Sequence, residues 1–300
     1  MSFTSTVKNE VSKLDTNTEE NISELSGILY NISSLNEILK ITTENASVAR
    51  RIFNLIKHEF NSTPKVVVRR GYNFSKNYIY LLEIKNNIEE IEKSLCLDKD
   101  VPDSYIVGDS ELTRAYLRGV FLAIGSINDP KKSRYHLEFL VQSKKYAEFL
   151  VHILNKFNLN SKYIKRDSKY MVYMKEAEKI SDFLRIINAT TAVFYYEDIR
   201  IYRDHKNMTN RLNNCEQANV DKMIETANKQ VKDIELLIKN GILELMDEKI
   251  IQVANYRKMY PEVSLQELSE IITYETGKSI TKSGVYHRLK KIEQLASKQK

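Results

Sequence analysis

The sequence predicts an α+β protein: a domain built from two repeats of helices and short strands, then an all-α unit with a helix-turn-helix arrangement. Three observations predict it. A helix-length segment recurs without a gap at an offset of 92, as "SELSGILYNISSL" (23–35) and "AYLRGVFLAIGSI" (115–127). This sets Gly27 on Gly119, Leu25 on Leu117, Ser34 on Ser126 and Asn36 on Asn128. Each copy then leads into the same succession of strand-like alternation and amphipathic helix, the mark of an internal repeat. The C-terminal stretch holds three helical patterns with a short turn before the last. The boundaries that follow are 1–212 for the repeat domain, with repeats at about 20–98 and 112–190, 213–241 for a connector helix, and 242–300 for the helix-turn-helix unit.

The elements follow in order. "TSTVKNEVSKL" places Val7, Val11 and Leu14 at helical spacing. After the first copy come "NEILKITT" (36–43), the amphipathic "ASVARRIFNLIKHEF" (46–60), the alternating "KVVVRRG" and "NYIYLLEI", and a closing helix "NNIEEIEKSLCL" (86–97). After the second come "RYHLEFLVQ" (134–142), "KKYAEFLVHILNKF" (144–157), "SKYIKRD", "KYMVYMKE" and "AEKISDFLRIINA" (177–189). Setting Ile52, Ile56 and Phe60 on Phe149, Ile153 and Phe157 gives an offset of 97, and so a five-residue insertion in "DPKKSRY". "TTAVFYYEDIRIYRDHKNMTNRLNN" ends the domain as a long helix. From Cys215 to about Asn240, Val220, Ile224, Ala227, Val231, Ile234 and Leu237 make one apolar stripe, and Gly241 supplies the stop.

In the last unit, "LMDEKIIQVANYRKMYP" reads as a helix ended by Pro261. "VSLQELSEIITYETG" follows, with Ser264 and Glu267 as a capping box and Val263 and Leu268 placed for a hydrophobic staple. In "TKSGVYHRLKKIEQLAS", Val285, Leu289, Ile292 and Ala296 form the packing face. The opposite face presents Ser283, His287 and Lys290, flanked by Gly284, Tyr286 and Lys291, with Arg288 nearer the other boundary. Such a helix can reach base edges in a major groove with its N-terminal side chains.

Composition excludes several classes. No run approaches the ~18 apolar residues of a membrane span. The first residues, "MSFTSTVKNEVSKL", have no signal-peptide core, so the expected compartment is the cytoplasm. Cys96 and Cys215 give neither a disulfide framework nor zinc spacing. The five histidines show no paired metal spacing, and no phosphate loop or dinucleotide fingerprint is present, so no metal and no cofactor are expected. The net charge of +6 is unevenly spread: residues 131–175 hold 11 Lys and Arg against 3 acids, and 278–300 hold 7 against 1. Two separated basic regions point to a polyanion, above all nucleic acid.

The repeated helix carries a stripe of small residues: Ser23, Gly27, Asn31 and Ser34 in one copy, Ala115, Gly119, Ala123 and Ser126 in the other. Small side chains let two helices cross with their backbones close, so the two copies are expected to pack on each other. The chemical alternative is a metal-binding acid at the end of each.

A helix of this pattern, present twice and followed each time by the same elements, resembles the LAGLIDADG homing-endonuclease fold. The resemblance implies an acid at the next-to-last motif position to hold the catalytic divalent metal. Here those positions are Ile32 and Ile124, and neither offers the oxygen a hard cation wants. The nearest acids, Glu37 and Asp129, come one turn or more too late. The expectation is the fold without nuclease activity, hence no enzyme. A degenerate LAGLIDADG-like domain joined to an all-α helix-turn-helix domain is similar to the WhiA family of bacterial sporulation and cell-division transcriptional regulators. The stretches that carry the resemblance are "MSFTSTVKNEVSKL", "YLRGVFLAIGSI", "NRLNNCEQAN" (210–219) and "GKSITKSGVYHRLKKIEQLA". One departure is Tyr286, where the family pattern calls for a small polar residue.

The expected function is sequence-specific binding of double-stranded promoter DNA, on the nucleoid, through Lys278, Lys282, Ser283, Gly284, Tyr286, His287, Arg288, Lys290 and Lys291. Auxiliary phosphate contacts are expected from Lys131, Lys132, Arg134, Lys162, Lys165, Arg166 and Lys169, and the repeat domain is a candidate surface for a protein partner. Asn213, Asn214, Cys215 and Asn219 read as fixing the domain junction, with DNA contact as the alternative. Two rival functions remain: a division-machinery adaptor with incidental DNA binding, and a metal-dependent nuclease whose acids lie elsewhere.

Overall fold

The computed structural model describes residues 2–35, 38–70, 78–132 and 134–299. Asn36, Glu37 and Gly71, which entered the repeat alignment, the acid search and a predicted strand, lie outside the described residues. The chain divides into two compact units, Met1–Arg203 and Asp204–Lys300.

The first unit opens with α1 (Phe3–Val11), then repeats one pattern. The first copy is α2 (Thr18–Ile32), β1 (Ser33–Leu35), β2 (Leu39–Thr43), α3 (Ala46–Phe60), β3 (Lys65–Arg70), β4 (Tyr78–Ile84) and α4 (Ile88–Ser94). A one-turn α5 (Ser104–Val107) leads to the second: α6 (Ser110–Ile124), β5 (Gly125–Ile127), β6 (Leu137–Val141), α7 (Lys144–Asn155), β7 (Lys162–Arg166), β8 (Lys169–Met174) and α8 (Ala177–Ile186). Both sheets are four-stranded and antiparallel with matching orders, β1-β2-β4-β3 and β5-β6-β8-β7. Their inner faces, such as Leu39, Ile41 and Leu82, or Leu137, Phe139 and Val172, are fully buried beneath the helices.

Burial corrects the alignment. Asn45 caps α3 and Ser143 caps α7, an offset of 98. The buried residues Ala49, Ile52, Leu55 and Ile56 then fall on Ala147, Leu150, Ile153 and Leu154. The insertion between β5 and β6 is therefore six residues, not five. Matching Ile52 to Phe149 instead shifts the apolar face by about 100°, one residue of helix.

The small-residue stripe does what its spacing predicts: α2 packs on α6. A Cβ on Gly27 would lie 2.4 Å from the Tyr116 carbonyl oxygen, and one on Gly119 would lie 2.1 Å from that of Glu24. Around this crossing, Glu24 and Arg118 are fully buried. The Glu24 carboxylate accepts from Arg118 Nε at 2.6 Å and Arg51 Nε at 2.9 Å, and Arg118 Nη2 reaches Glu20 at 3.2 Å. Arg51 also donates to the Leu14 carbonyl, at 2.5 Å.

Two boundary expectations need correcting. A single helix, α9, runs from Thr190 to Lys239, so the connector drawn at 213–241 is the second half of an uninterrupted helix, and the boundary between compact units falls at 203/204 rather than 212/213. No Gly or Pro stands between 190 and 239 to break it. Its expected apolar stripe is only partly used: Ala227, Ile234 and Leu237 are buried, whereas Val220 and Ile224 are exposed. Asn213, Asn214, Cys215 and Asn219 are all exposed on α9.

The second unit continues with α10 (Glu248–Met259), α11 (Leu265–Thr276) and α12 (Lys282–Ser297). Ile234, Leu237, Val253, Leu268, Ile272, Val285, Leu289 and Ile292 form its own core. Among the described residues no helix is long and apolar enough to cross a membrane.

Candidate nucleic-acid interface

The α11–α12 turn is built by local hydrogen bonding. Ser264 and Glu267 form the predicted capping box, with the Ser264 hydroxyl accepting from Glu267 N–H at 3.2 Å and the Glu267 carboxylate from Ser264 N–H at 2.7 Å. The Ser264 contacts hold the Glu267 carboxyl below its ordinary pKa. Gly277 ends α11 at φ 66°, the left-handed conformation that glycine adopts without a Cβ penalty. Two threonines that sequence reasoning passed over complete the turn. The Thr273 hydroxyl accepts from Ile280 N–H and donates to the Ser269 carbonyl, and the Thr281 hydroxyl caps α12 by accepting from Gly284 N–H at 3.1 Å. Buried Arg257 donates to the carbonyls of Tyr260 and Val263, fixing the α10–α11 connection. Burial lowers its pKa from the ordinary value.

The four predicted packing residues of α12, Val285, Leu289, Ile292 and Ala296, are all buried. Lys282, Ser283, Tyr286, His287, Lys290 and Lys291 are exposed, as is Lys278 in the turn. Ser283, His287, Lys290 and Lys291 project from the side opposite the core. Tyr286 lies toward one flank, with Lys290 Nζ 5.7 Å from its ring centroid. Arg288 is half-buried on the other flank, in a recess shared with Asp247, Ile250 and Gly284. A Cβ on Gly284 would meet the Arg288 guanidinium at 3.0 Å. Sequence reasoning also missed Tyr274, which is 91 % exposed on α11 beside the turn. Its high exposure is legible only once the α11 packing face is known.

The auxiliary basic residues do not form one patch. Lys131, Lys132 and Arg134 lie in the β5–β6 loop, whose backbone is held by α9: Arg203 Nη1 donates to the carbonyls of Pro130 and Lys132. The Lys131 ammonium sits 5.5 Å from the Tyr195 ring centroid. Lys165, Arg166 and Lys169 cluster at the β7–β8 hairpin tip, the opposite end of the sheet, roughly 15 Å away at ~3.3 Å per residue. Register divides them further. Lys165 pairs with Tyr170 on the helix-covered side, whereas Lys162 and Arg166 pair with Tyr173 and Lys169 on the open side.

At the positions where the nuclease pattern puts acids, Ile32 and Ile124 close α2 and α6 and pack on the core. Asp129 accepts from Lys131 N–H in a loop turn.

Comparison with known proteins agrees with this geometry along the whole chain. Residues 18–98 match the WhiA N-terminal LAGLIDADG-like domain, 113–206 the WhiA LAGLIDADG-like domain, and 209–296 the WhiA C-terminal HTH domain. A Staphylococcus aureus relative, "Probable cell division protein WhiA", is 41 % identical, covering 99 % of this chain and 97 % of its own. The crystal structure of full-length WhiA from Thermotoga maritima superposes with a TM-score of 0.60 at 26 % identity, covering 99 % of both chains. Two degenerate LAGLIDADG repeats and a C-terminal helix-turn-helix, matched end to end at this identity, make the chain a member of the WhiA family.

Proposed function

We propose that the protein is a sequence-specific DNA-binding transcriptional regulator linked to cell division and sporulation, acting on the nucleoid in the cytoplasm. The observation that carries this reading is α12: its apolar stripe is wholly buried, leaving Ser283, His287, Lys290 and Lys291 as a donor-rich, basic outer face behind a capped turn. Placed in a major groove, these side chains reach base edges, while Lys278, Lys282 and Arg288 neutralise flanking phosphates. The hairpin-tip cations and the β5–β6 loop add weaker backbone contacts at most, because they are split between two ends of a sheet. The LAGLIDADG-like unit acts without nuclease chemistry, since Ile32 and Ile124 stand where metal-binding acids are needed, and it is free to engage a protein partner.

Binding to a promoter fragment recovered by chromatin immunoprecipitation tests this. Affinity should fall by roughly tenfold or more between ~50 and ~200 mM salt. Lys290→Ala and Lys282→Ala should each weaken binding by about 1 kcal/mol or more, Lys290→Ala with altered base preference. Unchanged affinity in both variants removes α12 from the mechanism, and an absence of discrete promoter peaks favours the adaptor reading. Plasmid cleavage in magnesium or manganese, lost on chelation, would establish a nuclease.

A further inference from the structure

A recess of about 740 Å³ opens where the α1 N-terminal half meets the end of α6 and the β2–α3 junction. That is within the range of small-molecule sites. Its lining carries one cation, Lys8, a set of hydroxyls and a single acid, Glu44. Lys8 is half-buried there; its ammonium donates to the Ala123 carbonyl at 3.4 Å and lies 5.9 Å from the Phe121 ring centroid, with no carboxylate of the described residues within ion-pair distance. The hydroxyls of Ser2, Ser5 and Thr43 accept hydrogen bonds from Ser5 N–H, the Asn45 side-chain amide and Asn45 N–H respectively. None of the three donates to a described residue, so each hydroxyl hydrogen is open to solvent or to a ligand. Thr4 is different: its hydroxyl is spent on both backbone groups of Ile127. Glu44, exposed at the rim, is the one acid among the described lining residues.

The pseudo-equivalent recess, at the end of α2, is built the other way. Asn31 stands where Ala123 stands, and its amide donates to the Tyr146 hydroxyl at 2.9 Å; that hydroxyl also bonds Tyr116 at 2.8 Å. The cations beside it are paired, Lys145 with Asp100 and Lys99 with Asp103. One end of the helix pair is satisfied from within; at the other, an ammonium has a long bond to the Ala123 carbonyl and no described carboxylate as partner, and three hydroxyls donate to none of the described residues.

We propose that the α1–α6 recess binds the phosphate group of a small phosphomonoester, with Lys8 as the charge partner and Ser2, Ser5 and Thr43 as neutral donors. A tetrahedral oxyanion accepts several donors at once, the complement of this lining. Burial without a counter-ion lowers the Lys8 pKa to about 8, the environment a bound anion would reverse.

Calorimetric titration of the full chain with inorganic phosphate and with methyl phosphate, against sulfate at matched ionic strength, tests this. Both phosphates should bind saturably, and sulfate more weakly. Lys8→Met should bind at least roughly tenfold more weakly, and Ser5→Ala and Thr43→Ala about two- to fivefold. The alanine variants decide the matter should Lys8→Met fail to fold. Equal isotherms for the wild type and these variants would overturn the site. So would a Lys8→Met defect confined to random-sequence duplex, which would make the phosphate that of a DNA backbone. None of these isotherms depends on promoter binding by α12, so the two readings fail separately.

Discussion

The same two positions in the two repeats are filled with opposite chemistry. In the first repeat Glu24 on α2 meets Arg51 on α3 at 2.9 Å. In the second, at offsets of 92 and 98, Tyr116 on α6 meets Phe149 on α7 edge-on, with centroids 5.9 Å apart. One junction between central and flanking helix is held by charge, the other by rings. The fold requires that the space be filled and its polar atoms satisfied, and either chemistry does so. The two differ in how they fail. A buried carboxylate serving two arginines is an all-or-none device, because removing it strands charge in a dry site. An aromatic pair loses only what is deleted.

The largest expected effect follows from that contrast. Glu24→Gln keeps the side-chain shape but leaves Arg51 and fully buried Arg118 without their shared anion, and should cost about 3–5 kcal/mol in urea denaturation. Tyr116→Phe removes one hydroxyl from a Tyr146 that keeps its Asn31 partner, and should cost about 1 kcal/mol. Comparable losses from the two substitutions would break the comparison.

The glycines sharpen it next. Gly119→Ala and Gly27→Ala push a methyl into backbone carbonyls on the facing helix, and neither helix can yield without opening the crossing, so each should cost about 1–3 kcal/mol. Gly284→Ala presses closest on the flexible head of Arg288, at 3.0 Å, with the Ile280 and Thr281 side chains at an ordinary contact distance of 3.4 Å, and should change thermal stability by less than about 0.5 kcal/mol. A neutral Gly119→Ala would mean that the helices are not as close as their carbonyls indicate.

Much of this architecture was legible in the sequence, because it rests on periodicity and spacing. The repeat follows from direct self-alignment, and six of the eight strands, the α11 cap and the α12 stripe follow from residues within one or two turns of each other; β1 and β5 lie in segments that read as the ends of the repeated helices. What was not legible depended on pairings across the fold. The Glu24–Arg118 contact spans 94 residues, and nothing local in "SELSG" distinguishes a buried glutamate from a solvated one. The one-residue error at α3 and α7 arose because Ile52 and Phe149 are both apolar, and only burial shows which face turns inward. On α12 the exposed set was readable from the helix period, whereas the scattering of the other basic residues required strand register. Lys162, Lys165 and Arg166 sit within five residues yet divide between two faces.

Lys8 extends the comparison to the ends of the two central helices, and its effect on stability should be the smallest. Burial holds its pKa at about 8, below the ordinary 10.5, with Ala123 as its hydrogen-bond acceptor and Glu44 the acid of the recess. Between those values the unfolded chain binds a proton that the folded chain does not, so stability rises with pH across that window. Below pH 8 the full penalty applies. Lys8→Met escapes it and should be more stable than the wild type at pH 7, by about 1 kcal/mol once the partial exposure of the side chain is allowed for. The advantage should fall steeply toward pH 10.5, where the unfolded-state lysine is half-protonated, and vanish above it. Paired denaturation curves at the two pH values isolate the effect, because every other titrating group is shared. No such gain is expected at the α2 end, where Lys99 and Lys145 already face carboxylates. A Lys8→Met variant less stable at pH 7 than at pH 10.5, relative to the wild type, would mean that the ammonium is stabilised by its surroundings. The α6 end would then be as self-satisfied as its counterpart.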